Sequence, residues 1–179
     1  CLFFPPEQLD IRDTLTDRED CFIFPCHPQT ELFAYTNARY RDKIATLDLQ
    51  VGAFIAELEN EGLLENTFIF YFGDHGGVLP GSKGYLKETG LHVPLVVYVP
   101  PAYEYLVDLE PGSESGEFVS FVDFGATVLS LAGAGIPEGM DGKPFLGPGA
   151  KRSPSMELTY GYADRFDEKY EMVRSVRKG

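Results

Sequence analysis

Tyr40, Ile44, Leu47, Val51, Ile55 and Leu58 recur at steps of three and four residues. That spacing gives a helix one apolar stripe. Thr36 or Asn37 can cap its start by accepting from free backbone N–H groups. Gly62 suits its end, where a left-handed residue is wanted. Arg39, Arg41, Asp42 and Lys43 stand mostly off the stripe, and Asp48 reads as a solvated rim residue. Thr67-Phe-Ile-Phe-Tyr-Phe72 and Pro94-Leu-Val-Val-Tyr-Val-Pro100 are continuous apolar runs without alternation. Such runs predict strands covered on both faces. Phe121, Phe124, Val128 and Leu131 predict a second helix over 118–131, which Gly133-Ala-Gly ends. Residues 135–155 are rich in Gly and Pro and read as loop; Met156–Tyr162 and Tyr170–Val176 read as two shorter strands. A helix, a buried strand, a loop and another buried strand are the rhythm of an α/β fold.

Residues 1–35 show no clear period. Phe22-Ile-Phe reads as a short strand at most, because Pro25 and Pro28 interrupt the chain directly after it. The chain opens on Cys-Leu-Phe-Phe and stops at Arg-Lys-Gly after a strand-like segment, so it reads as an internal fragment with partners on both sides. Its 179 residues are 44% hydrophobic and 24% charged, which argues against disorder. A net charge of -13, from 15 basic and 28 acidic residues, argues against nucleic acid and against an anionic membrane as partners. No apolar run is long enough for a membrane span. Cys1, Cys21 and Cys26 have no metal-site spacing, and three cysteines cannot all pair within the chain. A Cys21–Cys26 bridge is compatible with an oxidising compartment.

The segment Phe72-Gly-Asp74-His75-Gly-Gly carries the chemistry. It begins where a buried strand ends, and in open α/β sheets ligands bind outside the carboxyl ends of strands. Gly73, Gly76 and Gly77 allow sharp turning and close approach of the backbone to a ligand. Asp74 suits a hard cation such as Ca²⁺ or Mg²⁺; His75 is a softer ligand, at home with Mn²⁺ or Zn²⁺. The same triplet also fits a turn in which Asp74 bonds its own backbone. Lys83, nine residues after Asp74, can present a point charge to an anion or stand solvated in its loop. Lys87 reads as solvated and neutralised by Glu88. His92 can face the same crevice or pack structurally.

Together these blocks resemble the type I sulfatases of the alkaline phosphatase superfamily. Arg39-Tyr40 through Asp48-Leu-Gln-Val-Gly52 resembles the family helix ending Asp-x-x-Val-Gly. Leu63-Leu-Glu-Asn-Thr67, an apolar strand and Asp74-His75-Gly resemble its metal-site block. Lys83-Gly, Glu88 and Val93-Pro94-Leu-Val-Val come next in the family order. Phe121-Val-Asp123-Phe-Gly-Ala-Thr127-Val-Leu is similar to the helix Val-Asp-x-x-Pro-Thr-Leu-Leu, with Ala126 in place of Pro. Met140-Asp-Gly142-Lys-Pro-Phe145-Leu looks like the segment after that helix. The resemblance covers roughly residues 36–179. Ser82-Lys83-Gly, Leu91-His92-Val-Pro and Ala163-Asp-Arg165-Phe-Asp167-Glu168 look most like heparan N-sulfatase and related glycosaminoglycan sulfatases.

The resemblance implies an alkaline-phosphatase-like α/β fold, here in part: a mixed sheet flanked by helices, with the start of a small C-terminal antiparallel subdomain. Residues 1–35 would be an irregular connection, 36–150 the C-terminal part of the catalytic domain, and 151–179 the start of the subdomain. It implies hydrolysis of a sulfate ester or sulfamate, with a sulfated carbohydrate as substrate and the N-terminal remainder of the same protein as partner. Asp74 and His75 would be the second pair of ligands to Ca²⁺, with Mn²⁺ or Mg²⁺ as alternatives. Lys83 would contact the sulfate as a catalytic residue, and His92, Arg165, Asp167 and Glu168 would shape the substrate pocket. The same resemblance implies a secreted, periplasmic or lysosomal location.

The departures are as informative. The family nucleophile is a formylglycine made from the Cys of Cys-x-Pro-x-Arg. Cys26-His-Pro28-Gln-Thr30 has Thr where Arg is required and lies too close to Asp74. The formylglycine is therefore expected in the missing N-terminal part, and this chain alone should be inactive and bind metal poorly. A phosphodiesterase or phosphatase of the same superfamily is an alternative. With only His27, His75 and His92 the chain is poor in histidine for a two-metal site. A non-catalytic glycan-binding relative is another alternative.

Overall fold

A computed structural model describes residues 14–77, 79–150, 158–165 and 171–178. The chain divides into two compact units, Cys1–Glu65 and Asn66–Gly179.

The first unit is built on α1, Glu31–Asn60. Thr30, in extended conformation, caps it, its hydroxyl accepting from Phe33 N at 3.4 Å. The helix thus starts ahead of the expected caps. Thr36 and Asn37 are interior residues whose side chains donate to the Leu32 and Phe33 carbonyls, both at 2.8 Å. Such residues favour caps because they compete with the backbone, and mid-helix they satisfy themselves by back-bonding. The end is as expected: Gly62 has φ +68°, its N–H donates to Glu59 O at 3.0 Å, and Leu63 N donates to Leu58 O at 2.8 Å. Among the described residues, burial is confined to the first turns of α1, at Tyr35, Asn37, Ala38 and Asp42; Ile44 and Leu47 remain about half exposed. Asp42 is not a solvated residue. Its carboxylate accepts from Leu15 N (2.9 Å), Thr16 N (2.9 Å) and the Thr16 hydroxyl (2.7 Å). Phe22-Ile-Phe24 forms no strand. Phe22 and Phe24 stack edge to face at 5.2 Å, and His27 lies between Phe24 and Phe33. Cys21 and Cys26 are free thiols, the first buried and the second exposed.

In the second unit β1, Ile69–Phe72, pairs antiparallel with β2, Leu95–Tyr98, in the register Ile69↔Tyr98 to Phe72↔Leu95. The short α2, Glu88–Leu91, comes between them in sequence. Phe70 and Phe72 point to the face covered by Phe124, at 6.0 and 4.9 Å between centroids. The opposite face carries Tyr71 and Val96, 38% and 59% exposed. Phe72, on the Phe124 side, is itself 42% exposed, so the expectation of strands covered on both faces is corrected to strands covered only in part. Among the described residues there are two separate two-stranded antiparallel sheets with helices beside them, consistent with a part of the expected α/β fold. An unalternating apolar run shows that both faces are apolar, not that both are covered in this chain.

The second long helix, α3, spans Val122–Leu131, starting four residues later than predicted. The Asp123 carboxylate sets that start by accepting from Ser120 N at 3.1 Å. It also accepts from Lys143 N at 2.9 Å. One and two turns on, the Thr127 hydroxyl accepts from Phe145 N (3.1 Å) and Ser130 Oγ from Gly149 N (2.9 Å). These three buried side chains fasten the Gly- and Pro-rich segment 142–149 along the helix. The two C-terminal strands, β3 (Leu158–Arg165) and β4 (Glu171–Lys178), pair as an antiparallel hairpin and run beyond the expected ends at 162 and 176; the expected starts at 156 and 170 lie outside the described residues.

Candidate functional site

β1 delivers the chain directly to Asp74 and His75. The last rung is closed by Gly73 N donating to Pro94 O at 3.2 Å, and the two side chains come next, in the bend. The bend is held by Gly76, whose N–H donates to Gly90 O at 3.0 Å. A Cβ on Gly76 would overlap the Thr89 carbonyl oxygen and Ser82 Oγ, and one on Gly90 would overlap the Tyr85 carbonyl oxygen. Two stretches of backbone therefore touch where only glycine fits. Ser82, buried, donates from its hydroxyl to Thr89 O at 2.5 Å, and Thr89 Oγ1 returns a bond to Gly81 O at 2.7 Å. Lys83 N then donates to Gly77 O at 3.0 Å. The backbone of Lys83 is thus tied two residues beyond His75, with an exposed side chain.

His75 Nδ1 lies 2.8 Å from Gly76 O. A carbonyl oxygen only accepts, so Nδ1 carries the proton. When neutral, His75 presents the lone pair of Nε2, 3.4 Å from Asp74 Oδ2; when protonated, Nε2–H pairs with that oxygen. Two electron-rich atoms at that separation repel unless a proton or a cation lies between them. A backbone carbonyl on the distal nitrogen is also how ligating histidines are commonly oriented. The Asp74 side chain is 82% exposed and that of His75 39%, so both are open to a cation from solvent. The donor set, one carboxylate oxygen and one imidazole nitrogen, fits two corners of a metal shell. Among the described residues no group of three or more His, Cys, Asp or Glu side chains could hold a metal ion.

His92 ends α2 and turns to Glu88, Nδ1 standing 3.5 Å from Oε2. Among the described residues no hydrogen bond or ion pair joins His92 to Asp74, His75 or Lys83. Glu88 does not serve Lys87: its other oxygen takes Arg177 Nε at 2.6 Å, while Lys87 Nζ stands 5.8 Å from the Tyr85 ring centroid. Arg165 ends β3, but its side chain, and all of Asp167 and Glu168, lie outside the described residues. Cys26 lies in the first unit, an exposed thiol. Sequence reasoning quoted Ser82 only as part of a resemblance and missed the hydrogen bonds that Ser82 and Thr89 make. Their one signal was the small, polar stretch on either side of Lys83.

A family model, Sulfatase, matches residues 11–134. The chain belongs to the sulfatase family. The match begins before residue 36, where the resemblance in the sequence begins, and ends just past α3. This sulfatase-family chain is 38% identical over 155 residues to an ulvan-active sulfatase of Formosa agariphila, covering 87% of this chain and 25% of that protein. It is 31% identical over 149 residues to mouse steryl-sulfatase (71% and 23%). It is 35% identical over 116 residues to goat N-acetylglucosamine-6-sulfatase (60% and 20%). The chain therefore spans about a quarter of the length of these relatives. Their names agree on sulfate and differ in what carries it. Among the described residues of this sulfatase-family chain, no helix is long and apolar enough to cross a membrane.

Proposed function

We propose that this chain is the C-terminal part of a sulfatase catalytic domain, acting on sulfate esters or sulfamates of a sulfated sugar such as a glycosaminoglycan. The observation that carries the reading is the turn after β1: a histidine held by a carbonyl at Nδ1, its Nε2 facing a carboxylate, with a lysine tied alongside. In this reading Asp74 and His75 hold a divalent cation, Ca²⁺ by the carboxylate's preference for hard ions. A bound cation supplies charge stabilisation to the sulfate oxygens. Lys83 binds those oxygens as a point charge and opposes the negative charge that builds on them. The nucleophile, a formylglycine, is assigned to sequence outside this chain, because Thr30 occupies the place where its motif requires Arg. His92, Arg165, Asp167 and Glu168 are proposed to shape the sugar pocket, with the location secreted, periplasmic or lysosomal. Residues 36–150 would then belong to an alkaline-phosphatase-like mixed sheet completed by the rest of the protein, with 1–35 a connection and 151–179 opening a C-terminal subdomain.

The test is steady-state hydrolysis of an aryl sulfate by the full-length protein. Lys83→Ala is expected to lower kcat by on the order of 10²-fold, as for loss of a charge-stabilising donor. An unchanged kcat removes Lys83 from the mechanism.

A further inference from the structure

The Glu88–Arg177 ion pair lies outside the Asp74–Lys83 turn but borders the elements that hold it. Arg177 stands on β4 with Nε 2.6 Å from Glu88 Oε1, its guanidinium 4.8 Å from the Phe118 ring centroid. Two residues along β3 from Thr159, the cross-strand partner of Arg177, Gly161 has no side chain; a Cβ there would lie 2.5 Å from Ser175 Oγ of β4, 2.9 Å from Leu91 and 3.4 Å from Leu86, so the two leucines pack against the hairpin at this point. The hairpin is therefore seated on the loop that carries Lys83. Glu88 opens α2, and the next two carbonyls, of Thr89 and Gly90, receive Ser82 Oγ and Gly76 N. Ser82 precedes Lys83, and Gly76 directly succeeds His75. A helix of one turn has almost no stability of its own, so its place depends on such outside contacts. The pair is about half exposed, 42% at Arg177 and 57% at Glu88, and exposed pairs contribute little to folding free energy.

We infer that Arg177 is a positioning residue for Lys83, acting through Glu88 and α2. The hairpin, far downstream in sequence, thereby sets where the lysine charge stands relative to the Asp74–His75 pair. The inference rests on the reading of Lys83 as the sulfate-binding group. Small misplacements of a catalytic group are costly, up to about 10²-fold in rate. Through an intermediary the loss should be smaller.

The experiment is steady-state kinetics of the full-length protein on an aryl sulfate, with thermal melting of each variant. Arg177→Met is expected to lower kcat on the order of 10-fold with KM and Tm nearly unchanged. Arg177→Lys keeps a cation in reach of Glu88 and should restore most of the rate. In a Lys83→Ala background Arg177→Met should cost nothing further, because its effect passes through the missing amine. A wild-type kcat for Arg177→Met overturns the inference. So does an equal loss with and without Lys83, which marks a purely structural role. If Lys83→Ala itself leaves kcat intact, the assignment of Lys83 fails and the inference with it. If Lys83→Ala is impaired and Arg177→Met is not, only the inference fails.

Discussion

At Gly76 there is no room for a methyl group. Its absent Cβ would fall on the Thr89 carbonyl, which is backbone and cannot swing aside. Gly76→Ala must push apart the two strands of chain that set Lys83 against His75, at a cost of about 1–3 kcal/mol for an overpacked site. A lowered Tm is expected, and a Tm equal to wild type would show that the turn is softer than its geometry states. Asp42 makes a different kind of commitment. The Thr16 hydroxyl holds its carboxyl below the usual range, helped by the Leu15 and Thr16 amides and by Arg39, while burial opposes them. A depressed carboxyl stabilises the fold above its unfolded value, about 3.9, and that stability is lost as pH falls through the lower folded value. Urea midpoints should therefore fall more steeply below about pH 4 in wild type than in Asp42→Asn. Parallel slopes would sink the assignment. The sequence made Asp74 and His75 legible, because they come directly after an apolar run, among glycines. It could not show Asp42 buried, since the donors that bury it come from residues 15 and 16 and obey no helical period.

Elements were legible where one local period governs them, and their ends were legible only where glycine sets them. Gly62 and Gly133, both at positive φ, end α1 and α3 as expected. The starts were misjudged, since Thr30 outcompetes Thr36 and Asn37, and Asp123 reaches back to Ser120. A polar side chain announces a cap but not which of several will serve. The helix motif resembling the family's has a physical content that pattern alone hides: its Asp123 and Thr127, with Ser130 just beyond it, are the acceptors for three backbone amides of 143–149. Thr127 is fully buried, so Thr127→Val preserves shape and removes the acceptor of Phe145 N together with the hydroxyl's own bond to Asp123 O at 2.7 Å. Leaving that amide unmet should cost about 1–3 kcal/mol, read as a lower urea midpoint with an unchanged m-value. An unchanged midpoint would mean that water replaces the hydroxyl without loss.

At the scale of the whole chain, the charge of -13 attracts any cation, so weak binding by itself says nothing about Asp74 and His75. The coordination number decides more. Ca²⁺ takes six to eight oxygen ligands, and this chain offers two donors at the turn after β1. A pair held open to solvent, with water filling the remaining corners, should bind no more tightly than about 1 mM, at the weak end of protein calcium sites. The full-length protein, which we propose supplies the remaining ligands, should bind far more tightly. Isothermal titration of Ca²⁺ into both, at high salt to screen the general field, separates the two contributions. In the full-length protein Asp74→Ala should weaken binding at least 10-fold, about 1.4 kcal/mol, since it removes a direct ligand where even supporting residues cost 10–100-fold. In the chain alone the same substitution should change little beyond the loss of one charge. If the chain alone binds as tightly as the full-length protein, the donors it needs are all within these residues, and the half-site reading fails. If Asp74→Ala leaves the full-length affinity intact, the cation sits elsewhere, and His75 Nε2 faces Asp74 only as the N–H donor of an ion pair.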